Sequence, residues 1–143
     1  MRDLRILRRS ASADEYMEMR RWAGWSYIDK DVVATGLENS LFSLCVQKEE
    51  EVVGHGRIIG DGAFTLYIQD VIVKPEHQGS GIGTKIMDEI MNHITEEYPK
   101  GTMVCLLAAV GTEDFYSKFG FIERPNEVYG AGMIQFMGTA DES

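Results

Sequence analysis

Asp70-Val71-Ile72-Val73-Lys74-Pro75-Glu76-His77-Gln78-Gly79-Ser80-Gly81-Ile82-Gly83-Thr84 is the stretch whose reading decides the fold. It opens with β-branched residues, breaks at a proline and continues through three closely spaced glycines. Beyond it, Ile86, Met87, Ile90, Met91 and Ile94 recur at helical spacing within 85–98, the clearest amphipathic helix in the chain. A strand, a glycine loop and a helix therefore follow one another. Glycines let a backbone approach an anion closely and take φ > 0, and a helix N-terminus directs free N–H groups outward. The segment has the makings of a phosphate cradle; the glycine count alone fits a flexible turn equally well.

Upstream, 41–48, 52–59 and 64–73 are three β-rich runs joined by Glu49-Glu50-Glu51 and Gly60-Asp61-Gly62, which predicts consecutive antiparallel strands. Before them, Leu4, Ile6 and Leu7 suggest a short strand. Ser12 and Glu15 have capping-box spacing for a helix to about Trp22, Gly24 breaks it, and 29–39 reads as a second helix. Downstream, Pro99 and Gly101 stop the long helix, and 103–109 is a continuous apolar run, expected as a central strand buried on both faces. A short helix over 113–119 capped by Gly120, and closing strands over 121–124 and 133–137, complete the pattern. A β-α-β unit following an antiparallel meander is an α+β or mixed α/β architecture. At 143 residues, with no repeat or linker, the expectation is one domain spanning 1–143.

Composition narrows the function classes. Lys and Arg number 14 against 23 Asp and Glu, a formal charge of -9, which disfavours nucleic acid as a partner. Cys45 and Cys105 each lie in an apolar run and form no C-x-x-C pair, so they read as buried thiols, with no metal site and no disulfide framework. No apolar run approaches the ~20 residues needed to span a bilayer. The charges at Arg2, Asp3, Arg5, Arg8 and Arg9 have no signal-peptide core after them, so the expectation is a cytoplasmic protein without membrane contact.

Two phosphate-loop templates fail: Gly83 precedes Thr84 instead of the Lys-Ser/Thr of a P-loop, and position 84 is not the third glycine of a dinucleotide fingerprint. Gln78-x-x-Gly81-x-Gly83, preceded by 70–75, instead resembles the Gln/Arg-x-x-Gly-x-Gly/Ala acyl-CoA signature of the GNAT superfamily. Phe115-Tyr116-Ser117-Lys118-Phe119-Gly120-Phe121 resembles the F-Y-x-K-x-G-F segment that follows the next strand in those enzymes. The resemblance covers 52–121 most clearly. Where many relatives carry an asparagine before the tyrosine motif, Gly111-Thr112-Glu113-Asp114 stands here.

The resemblance implies a GNAT fold: a mixed, mostly antiparallel sheet of six to seven strands flanked by about four helices. It implies acetyl-CoA as co-substrate, its pantetheine arm entering as a pseudo-strand beside Val71, Ile72 and Val73. The pyrophosphate would rest on Gln78, Gly79, Ser80, Gly81, Ile82, Gly83 and Thr84, with Phe115 beside the cofactor. Lys74, His77 and Lys85 make the region locally less acidic or are simply solvated charges.

Amine acetylation needs a neutral amine, a polarised carbonyl and a proton for the departing thiolate, and proceeds directly when both substrates are bound. The resemblance places an oxyanion-stabilising N–H near Val71. Tyr116 is the candidate acid, since a phenol with a reference pKa of ~10 is protonated at neutral pH; an aromatic packing role is the alternative. Asp70, also placed near the acetyl group by the resemblance, is a candidate base acting through water, an anchor for the amine, or a cap for local backbone. Trp22, Trp25 and Tyr27 fall where the family builds its acceptor pocket, with Tyr129 and Met133 as further wall candidates; core packing explains the first three and a plain loop the last two. His55 and Arg57 read as exposed strand residues.

The expected partner is a small-molecule primary amine. A protein or peptide acetyltransferase, and a catalytically silent acyl-CoA sensor, are the competing readings, and an edge in the last strands is compatible with a homodimer.

Overall fold

Apolar alternation along 42–73 produces three long antiparallel strands: β2 (Phe42–Lys48), β3 (Glu51–Gly60) and β4 (Thr65–Val73). In the computed structural model, which describes residues 3–138, they form the middle of a five-stranded sheet. β1 (Leu4–Leu7) pairs antiparallel with β2, and β5 (Met103–Cys105) pairs parallel with β4, in the order β1-β2-β3-β4-β5. Helices α1 (Ala13–Ala23), α2 (Lys30–Glu38) and α3 (Ile82–Glu97) complete this unit, which ends at Leu106. A second unit, Leu107–Ser143, contains α4 (Glu113–Ser117).

The expected mixed α/β class holds. So does the capping box: Ser12 accepts from the Glu15 N–H at 3.1 Å and Glu15 accepts from the Ser12 N–H at 2.9 Å. Gly24 ends α1 in the left-handed region at φ 74°. α2 is bounded by Asp29 and Asn39, as the sequence predicts.

The two faces of the sheet are divided by the alternation of β3. Gly54 and Gly56 face α3, whose Ile82, Ile86, Met87, Ile90 and Ile94 are buried. Each such side chain contributes roughly 1.5–3 kcal/mol of burial free energy. A Cβ on Gly56 would lie 2.8 Å from Ile86 Cγ2 and 2.9 Å from Ile90 Cδ1, so the close approach of helix and strand depends on this glycine. On the opposite face, Cys45 and Ile72 pack with Ala11, Tyr16, Met19, Val33 and Leu37 of the α1–α2 layer.

Three expectations are corrected. The strand expected over 103–109 is only Met103–Cys105, lies at the end of the sheet order and has Met103 54% exposed, with Val104 and Cys105 only half-buried; it is an outer strand, not a central one. Cys105 is accordingly half-buried, whereas Cys45 is fully buried. No strand forms over 121–124 or 133–137, so the described residues contain five strands instead of six or seven. Ile122, Met133, Ile134 and Met137 are exposed, so these apolar runs lack the burial on one face that stabilises a strand. Finally, α3 begins at Ile82, three residues before the expected 85, with Gly81 as its N-cap.

Candidate functional site

β4 and β5 pair only at Thr65–Met103, Leu66–Val104 and Tyr67–Cys105. β4 continues six residues further, to Val73, so the edge of 68–73 that turns away from β3 has no strand beside it among the described residues. This half-open strand leads directly into the glycine loop.

A β-bulge sets which groups face that edge. Arg57 lies opposite Gln69 and His55 opposite Ile72, so Asp70 and Val71 together oppose the single residue Gly56. Asp70 occupies the left-handed region at φ 58°, uncommon for any residue but glycine. The extra residue flips the alternation downstream. Lys74 N–H donates to Val53 O at 2.8 Å, so the preceding Val73 turns its own amide and carbonyl toward the open edge. Gln78 Nε2 donates to that Val73 carbonyl at 3.0 Å, fastening the loop to the strand end.

The loop then presents a helix start. Gly79 and Gly81 have φ 81° and 91°, and Gly81 directly precedes α3 with no side chain capping the first turn. The N–H groups of Ile82, Gly83 and Thr84 are therefore those an α-helix leaves without intrahelical partners, at its positive end. Gln78, Gly79, Ser80 and Gly81 are exposed and Ile82 is buried, so the backbone faces solvent while the helix is held from beneath. Ser80 Oγ donates to His77 O at 2.5 Å. A cavity of about 460 Å³ shares Ser80 and Ile82 with the loop and is otherwise lined by Asp3, Leu4, Lys48, Glu76 and His77; none of its lining residues belongs to β4. Among the described residues no cluster of three His, Cys, Asp or Glu is placed to hold a metal ion.

Asp70 is the hub of a buried polar chain. Its carboxylate is fully buried. Oδ1 accepts from Tyr16 Oη at 2.8 Å and Gln69 Nε2 at 3.3 Å, and Oδ2 accepts from Arg57 Nε at 2.7 Å. Its backbone carbonyl accepts from His55 Nδ1 at 2.8 Å. Burial and the Asp70 charge push the Tyr16 phenol up to about 12, so it remains a donor. Burial lowers the His55 pKa; the neutral ring donates through Nδ1 and leaves Nε2 buried without a partner. Arg57 Nη1 also donates to Gly36 O at 3.2 Å and Ser40 Oγ at 3.1 Å.

His55 and Arg57 therefore correct the surface reading: His55 is 0% exposed, and only 14% of the Arg57 side chain is accessible. Tyr16, within a helix recognised from its capping box, was not visible as a site residue. Its position four residues before Arg20 on one helix face was the available signal.

At the C-terminal end of α1, Arg20 Nη1 donates to Tyr16 Oη at 3.2 Å, while its Nε and Nη2 donate to Ser26 O at 2.9 and 2.7 Å. The Arg20 guanidinium stacks 5.4 Å above the Trp25 ring. Trp25 and Tyr27 are 41% and 76% exposed, so neither is a core residue; Trp22 instead packs against the α1–α2 core.

In the second unit, Tyr116 lies on α4 in an aromatic cluster: Phe115 and Phe121 approach its ring edge-on at 5.0 and 6.4 Å, and Phe119 packs on Phe115 at 5.3 Å. Burial raises the Tyr116 pKa. Gly111 N–H donates to Glu113 Oε1 at 3.0 Å, and Gly120, at φ 92°, donates to Ser117 O at 3.0 Å. Tyr129 is held in a separate turn, its N–H donating to Asn126 Oδ1 and its ring covered by Arg124; Met133 is exposed.

Comparisons with known proteins show what the chain is similar to in sequence and fold. The sequence model of the family described as "Acetyltransferase (GNAT) domain" matches residues 11–137. The chain is 30% identical over 111 residues to the uncharacterized N-acetyltransferase ycf52 of Pyropia yezoensis, covering 75% of this chain and 63% of that protein. It therefore spans about three-fifths of that relative's length. It is 32% identical over 79 residues to Serotonin N-acetyltransferase 2, chloroplastic, of Oryza sativa subsp. japonica, covering 54% of this chain and 38% of that one. Among solved structures, the probable acetyltransferase SA2161 from meticillin-resistant Staphylococcus aureus superposes with a TM-score of 0.84 at 28% identity, over 93% of this chain and 99% of that one.

Proposed function

This chain belongs to the GNAT acetyltransferases, and from that premise we propose that it transfers an acetyl group from acetyl-CoA to the primary amine of a small molecule within a ternary complex. The observation that carries the reading is the open edge of β4 over 68–73, running straight into an uncapped glycine-rich helix start. An extended amide-containing chain pairs with the edge-facing N–H and C=O of Val71 and the N–H of Val73, whose carbonyl is taken by Gln78, and a pyrophosphate on its end reaches the first-turn N–H groups of α3. Gln78 through Thr84 form the cradle, and Phe115 lies beside the cofactor. The acidic balance of the whole chain is no obstacle, because backbone dipoles supply the local positive potential. The family match runs across both units, which supports 1–143 as one acetyltransferase domain.

In the reaction, the neutral amine nitrogen attacks the thioester carbonyl carbon. The oxyanion of the tetrahedral intermediate accepts from the Val71 N–H; the C–S bond then breaks, and the thiolate takes the Tyr116 hydroxyl proton. The ammonium proton passes to water and Tyr116 is reprotonated from solvent. The products are an acetamide and free CoA thiol. Of the roles open to Asp70, we favour that of a buried anchor for the local backbone, since Tyr16, Gln69 and Arg57 already occupy both of its oxygens.

The exposed rings of Trp25 and Tyr27 support an aryl or aralkyl amine as acceptor, with Tyr129 as a further wall. The name of the rice relative points to the same acceptor class. No described helix is long and apolar enough to cross a membrane, and we place the reaction in an aqueous compartment such as the cytoplasm.

Release of CoA thiol, followed with a chromogenic thiol reagent across aryl amines, polyamines, amino sugars and peptides, tests this. Turnover of one amine class, reduced in Tyr116→Phe, is the expected result. Turnover of peptides alone would transfer the activity to protein acetylation, and CoA binding without turnover of any amine would make the chain a sensor.

A further inference from the structure

We propose that Arg57 and Tyr16 are positioning residues for acetyl transfer, and that the hydrogen-bonded chain Arg20–Tyr16–Asp70–Arg57 couples the acceptor-side loop 24–29 to the β4 bulge. The proposal rests on the acetyl-transfer reading above and extends it to residues that touch neither substrate. All the groups involved lie within the unit that ends at Leu106.

The bulge places Val73's amide at the open edge, since without the extra residue the alternation would turn Val73 toward β3. Holding that extra residue requires Asp70, which has a side chain, to stay in the left-handed region at φ 58°. Four contacts maintain it: His55 on its carbonyl, Tyr16 and, at 3.3 Å, Gln69 on Oδ1, and Arg57 on Oδ2. The strained residue and the groups proposed to bind the donor are neighbours in sequence. Loosening one therefore moves the other.

The chain also reaches outward at both ends. Arg57 is a fork: its Nε serves Asp70 while Nη1 fastens Gly36 O and Ser40 Oγ at the end of α2. Arg20 serves Tyr16 with one nitrogen, the Ser26 carbonyl with two others, and the Trp25 ring with its face. A displacement of the Trp25 loop by an arriving amine is thereby carried through Arg20 and Tyr16 to Asp70. An ordinary buried ion pair would stabilise the fold; this one also joins the aromatic wall to the oxyanion donor.

The test uses Arg57→Lys, which keeps a cation for Asp70 but cannot also reach α2 as a fork, and Tyr16→Phe, which removes one donor while conserving shape. Both are studied well below their unfolding temperatures. In the ligand-free proteins, hydrogen exchange at the Ile72 and Lys74 amides should be faster by about tenfold or more, with β1–β2 amides unchanged. In turnover, kcat should fall on the order of tenfold to a hundredfold, while KM for acetyl-CoA, set mainly by the separate glycine cradle, stays within about twofold of wild type. Unchanged exchange at Ile72 and Lys74 overturns the proposal. So does wild-type kcat in both variants, or a rise in KM with kcat preserved. If the wild-type protein itself turns over no amine, the acetyl-transfer reading fails, and the exchange measurement alone then decides whether this chain holds the bulge.

Discussion

Tyr16 of α1 donates its hydroxyl to Asp70 of β4 at 2.8 Å, across 54 residues of sequence. Both partners are buried, Tyr16 to 5% and Asp70 to 4% exposure, and the carboxylate is shared with Arg57. Removing the hydroxyl leaves Asp70 Oδ1 with only the 3.3 Å contact from Gln69. Tyr16→Phe should therefore lower the unfolding free energy by about 1–3 kcal/mol. Replacing Arg57 with Met should cost more, about 3–5 kcal/mol, because it strands a buried carboxylate. Urea titrations of the two single variants and the double variant check this. Coupling between them is expected, since both donors serve one acid; strict additivity would show that they do not act on a common charge.

Gly56 sits where β3 touches α3, and its missing Cβ is as informative as any side chain. Gly56→Ala would place a methyl 2.8 Å from Ile86 Cγ2 and 2.9 Å from Ile90 Cδ1. Ile86 Cγ2 sits on a β-branched carbon that is stiff at χ1 and cannot swing aside, whereas Ile90 Cδ1 can give way only by turning about χ2. A loss of about 1–3 kcal/mol is expected from overpacking. Adding Ile90→Val, which deletes the terminal methyl, should recover part of it in thermal denaturation; no recovery would mean that the strain lies in the backbone.

Much of this was readable from the sequence, and the reasons differ by element. Helices α1 and α3 announced themselves because capping and helical periodicity are local: Ser12 and Glu15 are three residues apart, and Ile86, Ile90 and Ile94 repeat every four. The glycine loop was legible for the same reason, since the backbone conformations at Gly79 and Gly81 depend on residue type. β5 takes up only Met103–Cys105, because an apolar run such as 103–109 records a need for burial without naming the partner that provides it. The closing runs 121–124 and 133–137 failed likewise. The Asp70 chain was largely hidden. Its members come from α1, β3 and β4, and only the folded sheet brings residues 16, 57 and 70 together. Arg57 and His55, each flanked by glycine, looked like exposed strand residues; the glycines mark the opposite face, where α3 packs.

Burial raises the Tyr116 pKa above its ordinary value near 10. A group assigned to supply a proton then stays loaded throughout the neutral and mildly alkaline range. If it is the acid, kcat should hold level on the alkaline side to beyond pH 10, with any loss below neutrality traceable to protonation of the acceptor amine. Tyr116→Phe should lower kcat on the order of 10²–10⁴-fold and leave KM for acetyl-CoA comparatively little changed. A pH–rate profile of the two proteins with one weakly basic and one strongly basic amine checks both parts. An alkaline limb near pH 8 that survives in Tyr116→Phe would assign the proton to another group.

His55 gives the fold a definite acid limit. Its ring is fully buried, its Nδ1 proton is held by the Asp70 carbonyl, and its Nε2 has no partner. Burial holds its pKa below the ordinary 6.5, so the native state keeps the ring neutral at pH values where the unfolded chain has already bound a proton. Between the depressed native pKa and 6.5 the unfolded state carries more protons, and stability therefore rises with pH in that window. The contribution is complete above about pH 6.5 and is lost as pH falls through the native value. Denaturant unfolding from pH 5 to 8 should show this slope in the wild type. His55→Gln, which can donate to the Asp70 carbonyl but does not titrate, should flatten that slope even if its overall stability is lower. An equal slope in the variant would place the acid sensitivity in the carboxylates, Glu15 and Asp61 among them, whose native pKa values are lowered by hydrogen bonds and a paired charge.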